Sequence, residues 1–160
     1  MTTSVTHHQQ FIQECYRLAR QAGAQGNHPF GAVLVFQAEI ILTAENTIQT
    51  DQDVTRHAEL NLVSQACRQF SPEILHAATL YTSTEPCAMC TGAIYWAGIR
   101  AVVYGCSAQD LASVVGADFL NPCAELFSTG QHPTTVIGGI LFITFINYRR
   151  HYLQRLYCKS

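Results

Sequence analysis

The sequence predicts an α/β layered domain with about five strands. Short apolar runs bounded by Gly, Pro or small polar pairs recur along the chain, and segments with apolar residues at helical spacing lie between them. No internal repeat, linker or low-complexity tract divides the 160 residues, which fits one domain with one sizeable core. Apolar residues make up 48% and charged residues 12%, the balance of a globular chain rather than a disordered one.

Phe11, Cys15, Leu18, Ala19 and Ala22 recur at helical spacing, so a helix is expected over about residues 8 to 24, stopped by Gly23 and Gly26. Gly31 to Phe36 and Glu39 to Ala44 are apolar runs separated by Gln37-Ala38, the pattern of a β-hairpin. Thr55 is placed to cap a helix from about His57 to Phe70, with Leu60, Val63 and Ala66-Cys67 inward. Ala78 to Ser83 reads as a strand. Pro86 suits a helix start, where its missing N–H costs nothing, and that helix is expected to run to about Ala97 and end at Gly98. Ala101 to Tyr104 is a further strand ended by Gly105. Asn121-Pro122 opens a short helix to about Phe127, Thr135 to Ile140 is the fifth strand, and Phe145 to Tyr157 a last helix.

Charge and composition narrow the partners. The net charge is −2 and the pI about 6.4, and no basic run occurs before Arg149-Arg150 and Arg155. The electrostatic footprint of a nucleic-acid binder is therefore missing. Met1 to Gln10 is polar with no apolar core segment, so the expected compartment is the cytoplasm. Val136 to Ile146 is interrupted by Gly138, Gly139 and Thr144 and is too short to cross a bilayer, so no membrane partner is expected. Seven cysteines fit a reducing compartment with free thiols or metal. Cys15, Cys67, Cys106, Cys123 and Cys158 have no ligand spacing with one another and read as ordinary small residues.

Two short motifs carry the chemistry: His57-Ala58-Glu59 and Pro86-Cys87-Ala88-Met89-Cys90. Cysteines three apart on one helical turn can reach a single ion, and His57 adds an imidazole. These three ligands leave a tetrahedral zinc one position short, which distinguishes a catalytic site from a closed structural one. Both motifs are expected at helix N-termini, where exposed N–H groups and the helix dipole favour thiolates. Glu59 is not needed to hold the metal, and a carboxylate beside an activated water serves as general base and then general acid. Its position two residues past His57 would point it elsewhere in a regular helix. Other readings stay open. A lone C-x-x-C also suits a redox pair, and His76, Cys106 or Cys123 would close a structural zinc site as fourth ligand.

H-x-E joined to P-C-x-x-C is the pattern of zinc-dependent nucleobase deaminases. The chain resembles the cytidine deaminase-like superfamily, most closely its small bacterial and plant guanine and guanosine deaminases. The resemblance rests on His28-Pro29-Phe30-Gly31-Ala32-Val33, Ala44-Glu45-Asn46, Thr55-Arg56-His57-Ala58-Glu59 and Tyr81 to Cys90 continuing through Gly92-Ala93-Ile94, and spans about residues 28 to 120. Relatives that deaminate tRNA adenosine usually carry a smaller aliphatic residue where Phe30 stands.

The resemblance implies a three-layer α/β/α domain around a central mixed sheet. It implies zinc on His57, Cys87 and Cys90, Glu59 as proton shuttle, and hydrolysis of guanine to xanthine and ammonia. Asn46 matches a residue that hydrogen-bonds the base, and Phe30 an aromatic that packs on it. Asp118, in Gly116-Ala117-Asp118-Phe119, matches an acid that grips the amino edge, and Tyr157 stands where a C-terminal tyrosine contributes. A homodimer is implied, which in that branch can be domain-swapped. Residue chemistry suits these roles, since Asn offers a donor and an acceptor and a carboxylate takes two N–H groups. The plainer readings are Phe30 as core, Asn46 as a turn residue, Asp118 as a loop acid and Trp96 as packing. The chain departs from the family pattern at Asp53-Val54-Thr55, where the family has an acidic residue, Pro and Thr, and from about Ser128 onward.

Overall fold

A computed structural model describes residues 5–116 and 120–141. In chain order the elements are α1 (Val5–Ala24), β1 (Gly31–Phe36), β2 (Glu39–Glu45), α2 (Ile48–Asp51), α3 (Ala58–Gln69), α4 (Pro72–Ala77), β3 (Thr79–Thr84), α5 (Ala88–Trp96), β4 (Ala101–Cys106), α6 (Ala108–Val115), α7 (Cys123–Ser128) and β5 (Thr135–Ile137). The five strands form one sheet in the order β2-β1-β3-β4-β5. β1 pairs antiparallel with both β2 and β3, whereas β3–β4 and β4–β5 are parallel, so the sheet is mixed. Parallel neighbours need a crossover, and α5 supplies the one between β3 and β4.

Strand alternation divides the core into two layers. Val33, Val35, Tyr81 and Val103 face α1 and pack on its buried stripe of Phe11, Ile12, Cys15 and Ala19. Ala32, Leu34, Leu80 and Val102 face the opposite way, onto Leu62 and Ala66 of α3, Ile94 of α5 and Phe127 of α7. The result is the three-layer α/β/α arrangement, with the sheet covered on both sides.

Gly31 sets the distance between α1 and β1. A Cβ there would strike the Cys15 carbonyl and the Leu18 Cβ, and would lie 2.9 Å from the Ala19 nitrogen. Gly31→Ala is therefore expected to cost about 1–3 kcal/mol through overpacking, read as a lower urea midpoint at unchanged slope. The β1–β2 turn is closed by Gln37 (φ 51°) and Ala38 (φ 65°), both left-handed, as a two-residue hairpin turn that follows the strand twist demands.

Several sequence expectations shift. The inward face of α3 is Ala58, Glu59, Leu62, Val63 and Ala66; Leu60 is only partly buried and Cys67 is exposed. The helix begins one residue later than expected, with His57 as its cap, and packing on the sheet selects the stripe through Ala58, Leu62 and Ala66. Pro86 lies before the cap of its helix, which is Cys87. β5 is shorter than expected and stops at Ile137. The short helices α2 and α4 and the longer α6 have no counterpart in the expected elements. Trp96 is 83% exposed, edge-on to Tyr95, and is not a packing residue of the core. The helix expected over Phe145 to Tyr157 lies outside the described residues, as do Asp118 and Cys158. Among the described residues no helix is long and apolar enough to cross a membrane.

Candidate active site

The site assembles where β3 ends and two helices begin. His57 caps α3 and Cys87 caps α5, both with extended backbone (ψ 152° and 171°), and neither side chain is spent on capping its helix. Their carbonyls already accept the first helical bonds, from Asn61 N at 2.9 Å and Thr91 N at 2.8 Å. Both side chains are thereby held at helix starts, and Cys90, one turn into α5, is fully buried behind them. The ligand atoms of His57, Cys87 and Cys90 lie within 4.8 Å of one another. Cys87 Sγ is 3.6 Å from His57 Nδ1. His76, Cys106 and Cys123 do not join this group, the only candidate metal group among the described residues. One nitrogen and two sulfurs on rigid helix starts fit a zinc ion and leave a coordination position for water.

Glu59 reaches the same place because His57 is a cap and not a helical residue. The extended backbone at position 57 turns His57 back over the first turn of α3, where Glu59 sits. The Glu59 carboxyl is 5% exposed; its Oε1 accepts the Thr82 hydroxyl at 2.7 Å, and its Oε2 lies 3.8 Å from Cys90 Sγ. Burial pushes this carboxyl above the usual range, against the pull of the Thr82 hydrogen bond. The hydrogen bond from Cys90, joined by His57, holds the Cys87 thiol down to about 4. The same bond raises Cys90, as do burial and the Glu59 charge, and the Cys87 contact raises His57. Metal binding by such a pair is coupled to loss of thiol protons.

A cavity of about 160 Å³ opens onto these groups. Phe30, Glu59, Thr84, Cys87, Leu111 and Leu120 are among the residues that line it. It is well below the roughly 300–1,000 Å³ of sites for drug-sized ligands, and its apolar walls suit one small flat ring. A larger cavity of about 870 Å³, around Tyr95, Trp96 and Arg100, includes none of the metal group.

Of the sequence candidates, His57, Glu59, Cys87 and Phe30 share this cavity, and Cys90 lies directly behind it. Asn46 is 1% exposed and is not among the lining residues. Its N–H donates to the Phe30 carbonyl at 3.0 Å and its Oδ1 accepts from Ile48 N at 3.1 Å, which fixes Asn46 beside Phe30. Asp118 and Tyr157 lie outside the described residues.

Three residues of the site were not singled out in the sequence. Thr82 holds Glu59, and Thr84 follows it on the same face of β3. Glu85 accepts from Ala108 N at 3.0 Å and Cys123 N at 2.9 Å, so one carboxylate ties together the starts of α6 and α7. Strand alternation through Thr82-Ser83-Thr84 was the available signal. Ser83 points the other way and accepts from Gly31 N at 3.2 Å.

An α/β/α sheet with a three-ligand metal group and a buried carboxylate beside it defines a zinc-dependent hydrolytic deaminase. Residues 5–106 match the cytidine and deoxycytidylate deaminase zinc-binding region, and the chain belongs to that family. A probable cytosine deaminase of Schizosaccharomyces pombe is 36% identical over 135 residues, covering 80% of this chain and 81% of that protein. A guanine deaminase of Bacillus subtilis is 41% identical over 109 residues, covering 66% and 69%. The structure is similar to a solved tRNA:A34 deaminase that edits A to I at the wobble position, with TM-score 0.70, 30% identity and coverage of 86% and 97%.

Proposed function

We propose that this deaminase acts on a free purine base and converts guanine to xanthine and ammonia. The observation that carries the reading is the small cavity in which Glu59 and the metal group meet the Phe30 ring. A small, mostly apolar space of about 160 Å³ favours a bare base over a nucleoside or a polynucleotide. Phe30 supplies a face against which a flat ring packs. The His28-Pro29-Phe30-Gly31-Ala32 segment and the similarity to the Bacillus subtilis guanine deaminase support the purine choice. Asn46, Asp118, Tyr157 and a homodimer belong to this reading through the sequence resemblance.

Zinc, when bound by His57, Cys87 and Cys90, would supply Lewis acidity that lowers the pKa of the attacking water. Glu59 takes a proton from the attacking water as its oxygen bonds to C2 of guanine, and passes that proton to the adjacent ring nitrogen. It then carries the second proton to the amino group, which leaves as ammonia while the C2 carbonyl of xanthine forms. Thr82 keeps the carboxylate in place through both transfers by its 2.7 Å bond. The raised affinity of the buried Glu59 carboxyl for protons suits a group that must both accept and release them.

A panel of guanine, guanosine, adenine and cytosine, followed by ultraviolet absorbance and ammonia release, tests the reading. Guanine is expected to be the base consumed. Turnover of cytosine with none of guanine would overturn the purine choice, and zinc-loaded protein releasing no ammonia from any base would overturn catalysis.

A further inference from the structure

The polar groups around the base cavity are nearly all committed. His57 and Cys87 belong to the metal group, and Glu59 is bonded to Thr82. Glu85 accepts two backbone N–H groups. Asn121 is exposed at the rim. Thr84 is the exception. It is 2% exposed and lines the cavity, yet its Oγ1 has no hydrogen-bond partner among the described residues.

A buried hydroxyl without a partner destabilises a fold, and buried polar groups are normally satisfied. Its position argues against an accident of packing. Thr82 and Thr84 are two apart on β3 and face the same side, and the first hydroxyl holds the catalytic carboxylate. The second lies one step farther along, immediately before the Glu85-Pro86-Cys87 turn that delivers the metal ligand. An apolar side chain of the same shape would fill the space without the cost. A hydroxyl retained there has its use when something polar enters.

We propose that the Thr84 hydroxyl is a specificity-determining contact that hydrogen-bonds the polar edge of the bound aminated heterocycle, at a ring nitrogen or exocyclic oxygen near the reacting carbon. The proposal rests on the deaminase reading of the same site. A hydroxyl both donates and accepts, so it can engage either kind of atom, and a site built around such a bond rejects a ring that lacks the matching group.

Thr84→Val keeps the shape and removes the hydroxyl; Thr84→Ser keeps the hydroxyl. Zinc-loaded full-length wild type and both variants are to be compared on guanine and on cytosine, with kcat, KM, zinc content and melting temperature measured for each. Thr84→Val is expected to raise KM for the consumed base about tenfold. It should leave zinc content unchanged and lower the melting temperature by no more than about 1 °C. Thr84→Ser is expected to restore KM. A Thr84→Val enzyme with wild-type KM overturns the proposal. So does one that loses melting temperature along with activity, because the hydroxyl then has a structural partner. If wild type consumes cytosine and not guanine, the purine reading fails while the Thr84 comparison is decided on cytosine. If wild type consumes neither, both readings fall.

Discussion

Glu59→Gln is expected to retain its zinc and its fold but to lose about 10²- to 10⁴-fold in kcat, the range of a general acid–base group. Glutamine has the shape of glutamate, and its amide oxygen can still accept the Thr82 hydroxyl that bonds Oε1 at 2.7 Å. What it cannot do is take a proton from water and give it up again. Folding should not suffer, because Glu59 is 5% exposed and burial already works against its charge. The melting temperature is expected to hold or rise while turnover collapses. Metal analysis, circular dichroism and ammonia release on one preparation make the measurement. A variant with near wild-type turnover would remove the shuttle role.

Cys90→Ser carries the second large effect. Cys90 is fully buried and gathers its ligand atom with those of His57 and Cys87. A serine hydroxyl is a poor zinc ligand at neutral pH, so the variant is expected to purify without stoichiometric zinc. An ion that binds only the native state stabilises it by about 4 kcal/mol when present at a thousandfold excess over Kd. Wild type should therefore melt earlier in the presence of a chelator, and Cys90→Ser should melt near the chelated wild type and stop responding to the chelator. Cys123→Ser is the control. Cys123 is equally buried but its backbone is tied to Glu85 and it stands outside the metal group, so its variant should keep both zinc and the chelator response. Retention of zinc by Cys90→Ser would mean that a different side chain completes the site.

What the sequence made legible follows the range of the interactions involved. The stripe on α1 was readable because Phe11, Cys15, Leu18, Ala19 and Ala22 repeat at a helical period, and all five are buried. The β1–β2 pair was readable because two apolar runs flank two residues. The metal group was readable because residue type and spacing together are restrictive, although its members come from two helices thirty residues apart in sequence. Other features were harder. The start of α6 did carry a local mark, since Ser107 Oγ accepts from Asp110 N, but a short helix after an apolar strand gives little periodicity to read. The face of α3 differs from the expected one because Leu60 and Leu62 compete for the inward stripe and only packing on the sheet selects Leu62. Thr82 and Glu85 act through partners 23 to 38 positions away, and no local pattern announces such a partner. Asn46 is held by near neighbours in space and sequence, its N–H on the Phe30 carbonyl and its side-chain oxygen on Ile48 N two residues on.

The double grip of Glu85 divides the labour of the molecule. Reaction chemistry is concentrated on a single strand exit and two helix starts, whereas the outer wall residues Leu111, Leu120 and Asn121 lie beside the openings of α6 and α7, which one carboxylate holds together. A chain built this way can trade one preferred ring for another by rewriting that wall, without disturbing the anchor or the proton path behind it.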